Sequence, residues 1–112
     1  MTIYDAGGTT VVTGSLTSGA GDIDFNLNPG SEYSITVGGT FDSATIDPVF
    51  VDTENNEIPV PLAGEIDSVA SPMQLTGNAV IRLIAATSIL RFSFAAAGAS
   101  VDVRIEIARI KA

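Results

Sequence analysis

The chain has 112 residues, a net charge of −8 at pH 7, and neither cysteine nor histidine. This length indicates one domain with one core, and the missing residue types exclude disulfide bonds, Ser-His-Asp and Cys-His catalytic sites and nearly all zinc sites. The acidic surplus argues against nucleic acid as a partner, because binding to phosphates needs a stripe of basic side chains.

Residues 1–21 are rich in Gly, Thr and Ser and predict an extended arm, or an edge strand near residues 9–16 that contains Val11 and Val12. They lack the basic and apolar regions of a signal peptide. We expect residues 22–112 to form a single domain. That domain begins with DIDFNL, in which apolar and polar side chains alternate as in a half-buried strand.

The stretch YSITVGGTFDSATI, residues 33–46, predicts a β-hairpin that turns at Gly38 and Gly39. Another strand follows, but Pro48 has no N–H to donate, which confines this strand to a sheet edge or a bulge. Residues 65–77 contain short apolar groups and predict one or two short strands.

The last third of the chain is more apolar. Residues 78–85 and 88–95 predict two strands that are apolar on both faces, with a helix over 79–90 as the competing interpretation. Either both faces are covered within the domain or one face contacts another subunit. Residues 100–110, SVDVRIEIARI, alternate aliphatic and charged side chains and predict an amphipathic strand.

Together these segments give about seven to nine short strands separated by turn signals. The sequence therefore predicts an all-β fold, an antiparallel β-sandwich of the jelly-roll or Greek-key type with an extended N-terminal arm.

Charge is distributed unevenly along the chain. Residues 1–67 hold eleven of the thirteen acidic residues and no Lys or Arg, a net charge of −11, whereas residues 68–112 carry +3. The pattern indicates either a solvated acidic face or charge complementarity between neighbouring subunits.

Arg82 and Arg91 interrupt the apolar last third and disfavour a membrane helix there. Their side chains either extend from strand edges into solvent or bind carboxylates of a neighbouring subunit. The candidate oligomer or capsid interface consists of these two residues and nearby apolar ones: Val11, Val12, Val80, Arg82, Ile84, Ile89 and Arg91.

Reactive chemistry has little support. A glycosidase needs only two carboxylates, but a chain without Trp and with two Tyr lacks the aromatic platforms of sugar clefts, so we expect no enzyme. Asp52, Glu54 and Asn56 place oxygen atoms at alternate positions of one loop, as calcium sites do. Glu57 stands where an EF-hand loop has glycine, so a solvated turn is favoured and no cofactor is expected.

Residues 30–48, GSEYSITVGGTFDSATIDP, combine a glycine, a tyrosine alternating with aliphatic residues, Thr-Val, Gly-Thr-Phe and Ala-Thr. The pattern is carried by Gly30, Tyr33, Ile35, Thr36, Val37, Gly39, Thr40, Phe41, Ala44 and Thr45. This stretch resembles small structural proteins of tailed bacteriophages. Ser43 departs from it, since those proteins often have glycine there.

The resemblance implies a β-sandwich virion component without catalytic residues, such as a capsid decoration or cement protein, the base of a head fibre or a tail accessory protein. We then expect it to be made in the host cytoplasm, to contact the major capsid protein and to form a homo-oligomer, with a trimer favoured. The alternative is a carbohydrate-binding adhesion module, calcium-assisted or not, for which Tyr4, Tyr33 and Phe50 are the candidate aromatic contacts.

Overall fold

The computed structural model describes residues 3–5, 12–16, 21–61, 73–95 and 100–111, with the backbone alone described for 3–5, 12 and 16. No helix occurs in these ranges. Nine strands do: β1 (Ile3–Asp5), β2 (Val12–Leu16), β3 (Gly21–Asn26), β4 (Glu32–Thr40), β5 (Thr45–Val51), β6 (Glu57–Pro59), β7 (Ala79–Ile84), β8 (Ile89–Ala95) and β9 (Asp102–Lys111).

The strands form two sheets. Sheet I has the order β1-β3-β8-β5-β6, and sheet II has the order β2-β9-β4-β7. Every pairing is antiparallel except that of β1 with β3. From β2 to β9 the chain crosses between the sheets at every connection but the one from β5 to β6. Apart from β1, each sheet has four strands, and in this order those eight strands form a jelly roll. The structure thus confirms the predicted β-sandwich.

The predicted hairpin at residues 33–46 is wrong, because β4 and β5 lie in different sheets. β4 runs on through both glycines, and the chain changes sheet at Asp42 and Ser43, whose φ angles are 47° and 68°. Gly39 has a φ of 131°, and a Cβ there would collide with the carbonyl oxygen of Asp102 on β9. Gly39 therefore allows a close passage between strands, and the glycine pair does not form a turn.

Strands β7 and β8 confirm the strand interpretation of residues 78–95 over the helix, and they too lie in different sheets. β5, which contains Pro48, is not an edge strand, since β8 flanks it on one side and β6 on the other. Pro48 lies just beyond the end of β6, where its carbonyl accepts a hydrogen bond from the Val60 N–H at 3.0 Å. Because β6 has already ended, the sheet needs no N–H donor at this position, and proline fits there.

The core lies between the two sheets and holds aliphatic and aromatic side chains from β3, β4, β5, β8 and β9. Phe25 and Phe92 meet edge to face, with ring centroids 5.7 Å apart. Tyr33 is fully buried, and its hydroxyl accepts a hydrogen bond from the Asn28 N–H at 2.8 Å. The part of residues 65–77 that is described contributes a bridge between Leu75 and Ile46.

Replacing Gly39 by alanine should lower the free energy of unfolding by about 2 kcal/mol or more, because the new Cβ meets backbone and the φ angle is strained. Gly38→Ala is the matched control, since the nearest atom to its Cβ is the Asn78 Oδ1 at 3.8 Å. Urea denaturation measures the free energy of unfolding of both variants. Equal loss of stability in the two would contradict the close passage at Gly39.

Candidate interaction surface

The structure separates the residues that the sequence grouped as an interface. Val80, Arg82 and Ile84 lie on β7 at one edge of sheet II, whereas Ile89 and Arg91 lie on β8 inside sheet I. Val12 is on β2 at the opposite edge of sheet II, where it pairs with Ile107, and its side chain is outside the described residues, as is all of Val11. These residues therefore do not form one surface.

The outer face of β7 is apolar and exposed to solvent. Val80 is 73% exposed and Ile84 64%, whereas Ile81 between them is buried in the core. Arg82 shares the outer face, and its Nη2 lies 3.2 Å from the Glu32 Oε2 on the adjacent strand β4. An ion pair this exposed adds little stability, but it neutralises the one charge on the edge strand.

Val80, Arg82 and Ile84 also carry the backbone groups of this edge that no described strand pairs with. The Ala85 N–H donates to the Ser31 carbonyl at 2.9 Å, and its carbonyl accepts from the Gly30 N–H at 2.8 Å, so Ala85 directs both groups toward β4. Backbone groups alternate in direction along a strand. Those of Val80, Arg82 and Ile84 therefore point away from β4, where no described strand pairs with them.

The other sheet edges are less open to an added strand. β6 and β1 have three residues each, and prolines 59 and 61 lie at the end of β6. β2 has Gly14 at its centre. Short length, proline and glycine are devices that blunt strand edges, whereas β7 has six residues with neither proline nor glycine. Among the described edges, β7 is the one suited to pairing with another chain.

Arg91 lies at the centre of sheet I and is only 8% exposed. Its Nε and Nη2 donate to the two carboxylate oxygens of Asp24 at 2.8 and 3.0 Å, and its Nη1 donates to the Glu57 Oε2 at 2.7 Å. These hydrogen bonds, first of all those with Asp24, raise the pKa of the guanidinium above its ordinary value. Arg91 thus binds carboxylates of its own chain, and we remove it from the candidate contact surface.

The acidic loop between β5 and β6 is held together by Asp52. Its Oδ1 accepts hydrogen bonds from the N–H groups of Glu54 and Asn56, both at 2.9 Å, and its Oδ2 accepts from the Asn56 side-chain amide at 3.0 Å. Among the described residues no group of three or more acidic side chains is arranged to hold a metal ion. Both carboxylate oxygens of Asp52, the first of the three residues that suggested calcium, serve as acceptors within the turn.

Two of the three aromatic residues that could stack on a sugar ring are not available for it. Tyr33 and Phe50 are buried in the core, together with Phe25, Phe41, Phe92 and Phe94. The side chain of Tyr4 is outside the described residues. No exposed aromatic therefore lies beside the acidic loop in the described part of the chain.

The uneven charge along the sequence becomes a difference between the sheets. The strands of sheet I carry five acidic residues and one basic residue, and those of sheet II carry three acidic and four basic residues. The basic residues of sheet II are Arg82, Arg104, Arg109 and Lys111. Sheet I is thus strongly acidic, and sheet II is close to neutral.

No protein-family model matches the chain, and searches of curated proteins and of solved structures gave no match. Nor does the described part of the chain contain a helix that is long and apolar enough to cross a membrane.

Replacing Asp24 by asparagine should lower the free energy of unfolding by about 3 kcal/mol, because it leaves a buried guanidinium without its bidentate partner. Glu57→Gln is the matched control: its carboxylate binds the same guanidinium but is about half exposed, so its loss should cost less than about 1 kcal/mol. Equal losses of stability for Asp24→Asn and Glu57→Gln in chemical denaturation would show that burial does not determine how much each ion pair with Arg91 contributes.

The hydrogen bonds to Asp52, first of all from the Asn56 backbone, lower its pKa below 3.8 in the folded protein. A depressed pKa stabilises the fold above the unfolded pKa, and this contribution is lost as the pH falls through the folded pKa. Asp52→Asn should therefore be less stable than the native chain at neutral pH, and the difference should shrink in acid. Denaturation at a series of pH values measures this.

The same account of the loop predicts that calcium leaves the thermal midpoint of the native chain unchanged. A midpoint that rises with calcium and falls with a chelator would instead show that the loop oxygens bind the ion.

Proposed function

We propose that the chain is a non-enzymatic structural protein of a virion. More narrowly, and on the resemblance of residues 30–48, we propose a capsid decoration protein of a tailed bacteriophage. In this role it docks on the assembled head, contacts the major capsid protein and stabilises the shell as a homo-oligomer. It is made in the host cytoplasm and resides in the virion. The trimer favoured from the sequence is one form of such an oligomer.

The open edge of sheet II is the observation that carries the proposal. Soluble domains normally blunt their sheet edges, because an unpaired apolar strand recruits other chains. β7 keeps its outward backbone groups unpaired among the described residues and exposes Val80 and Ile84. Such an edge is expected in a protein that works by assembling with other chains.

The polar residues of the described chain support a structural role by what they already bind. Asp52 closes a turn, Arg91 joins three strands, and Asn78 accepts the Gly39 N–H at 3.1 Å. The jelly roll also fits, since viral capsid domains use it, although lectins and cupins use it as well. With Tyr33 and Phe50 buried, no observation on the described residues favours the carbohydrate-binding alternative.

Sedimentation with purified heads of the phage that encodes the chain tests this proposal. We expect saturable binding to heads and a higher temperature of DNA release from decorated heads. Val80→Ser with Ile84→Ser should weaken binding at least tenfold, because separate subunits lose the multivalency of an oligomer. Thr53→Ser, in the exposed loop between β5 and β6, is the control. The absence of any binding to heads would contradict the virion role.

A further inference from the structure

The exposed edge of β7 is complementary to a second copy of itself. The three residues whose backbone groups point outward are Val80, Arg82 and Ile84, and their side chains occupy the outer face of sheet II. An antiparallel partner strand centred on Arg82 places Val80 opposite Ile84 of the second copy, and Ile84 opposite its Val80. In this register all six outward N–H and carbonyl groups of the three residues on each copy find partners.

The charge that this register brings together at its centre is compensated within each copy. Arg82 faces Arg82 of the second copy, and like charges directly opposite one another destabilise a sheet. Each guanidinium keeps its own Glu32, 3.2 Å away on β4. The centre of the pair thus holds two positive and two negative charges and is neutral.

Head-to-tail pairing of β7 with β2 of a neighbour is the competing arrangement, and it also gives antiparallel strands, since strand direction alternates across sheet II. Among the described side chains of β2, the exposed ones are Thr13 and Ser15. They would leave Val80 and Ile84 beside polar groups, whereas the two-fold arrangement covers each aliphatic side chain with another. The apolar contacts therefore favour the two-fold pair.

We propose that two copies of this chain associate through antiparallel pairing of β7 with β7, centred on Arg82, so that the two sheets II become one eight-stranded sheet. The contact is isologous, as in most small oligomers. A dimer then replaces the trimer as the assembly unit. This pairing names the partner of β7 in the proposed function. It rests on that function only in taking β7 as the assembly surface.

Single cysteines test the register, because the chain contains none of its own. Directly opposite residues in such a pair have Cα atoms about 5.5 Å apart, within the range that a disulfide spans. Arg82→Cys should therefore form a covalent dimer on mild oxidation. Val80→Cys is the matched control. In the proposed register the two cysteines, one in each copy, lie four residues apart along the strands, about 13 Å, so they should not cross-link. The double variant Val80→Cys with Ile84→Cys should cross-link.

Light scattering of the native chain after size exclusion should give the mass of a dimer, and Val80→Lys should give a monomer of unchanged circular dichroism. Thr13→Lys, on the opposite edge of the same sheet, should leave the dimer intact. A native monomer or trimer, dissociation by Thr13→Lys, or cross-linking by Val80→Cys alone would overturn the proposed pairing. A dimer that fails to bind heads would contradict the virion role only, and heads bound by a monomer would contradict the pairing only.

Discussion

The fold depends on the antiparallel ladder between β4 and β9, which fills the centre of sheet II and joins an early part of the chain to its end. The ladder runs from Glu32 to Thr40 on β4, and the side chains that point inward from it form much of the core. Because β4 passes β9 closely at Gly39, position 39 requires a residue without a Cβ. Because the ladder occupies the centre, β2 and β7 become the two edges of the sheet.

Sheet I is organised around a different interaction, the bidentate pair of Arg91 with Asp24. A buried guanidinium costs several kcal/mol of desolvation unless its donors are matched, and here two carboxylates match them. Arg91 thereby ties β8 to β3 and to the short strand β6. The polar contacts of this sheet bind its own strands together. Among the described edges, the one suited to pairing with another chain is β7 of sheet II. The buried ion pair and the open edge thus lie in different sheets.

Alternation of side chains was enough to predict most strands and the sandwich, because burial on one face repeats every second residue. It did not predict which strands pair. Gly38 and Gly39 were interpreted as a turn. Glycine is required both by a turn with positive φ and by a close passage between strands, so the residue type alone does not distinguish the two. Arg91 looked like an interface residue because its partners, Asp24 and Glu57, are remote in sequence. Val80, Arg82 and Ile84, which the sequence offered as interface candidates, are exposed, but the direction of their backbone groups depends on the register with β4.

Amide hydrogen exchange measures directly whether the outward edge of β7 is an assembly surface. We expect the amides of Val80, Arg82 and Ile84 to be protected at high protein concentration and to exchange rapidly on dilution, while those of Ile81 and Leu83 stay protected throughout. Rapid exchange of the three outward amides at every concentration, with no protection on adding heads, would contradict an assembly surface at β7.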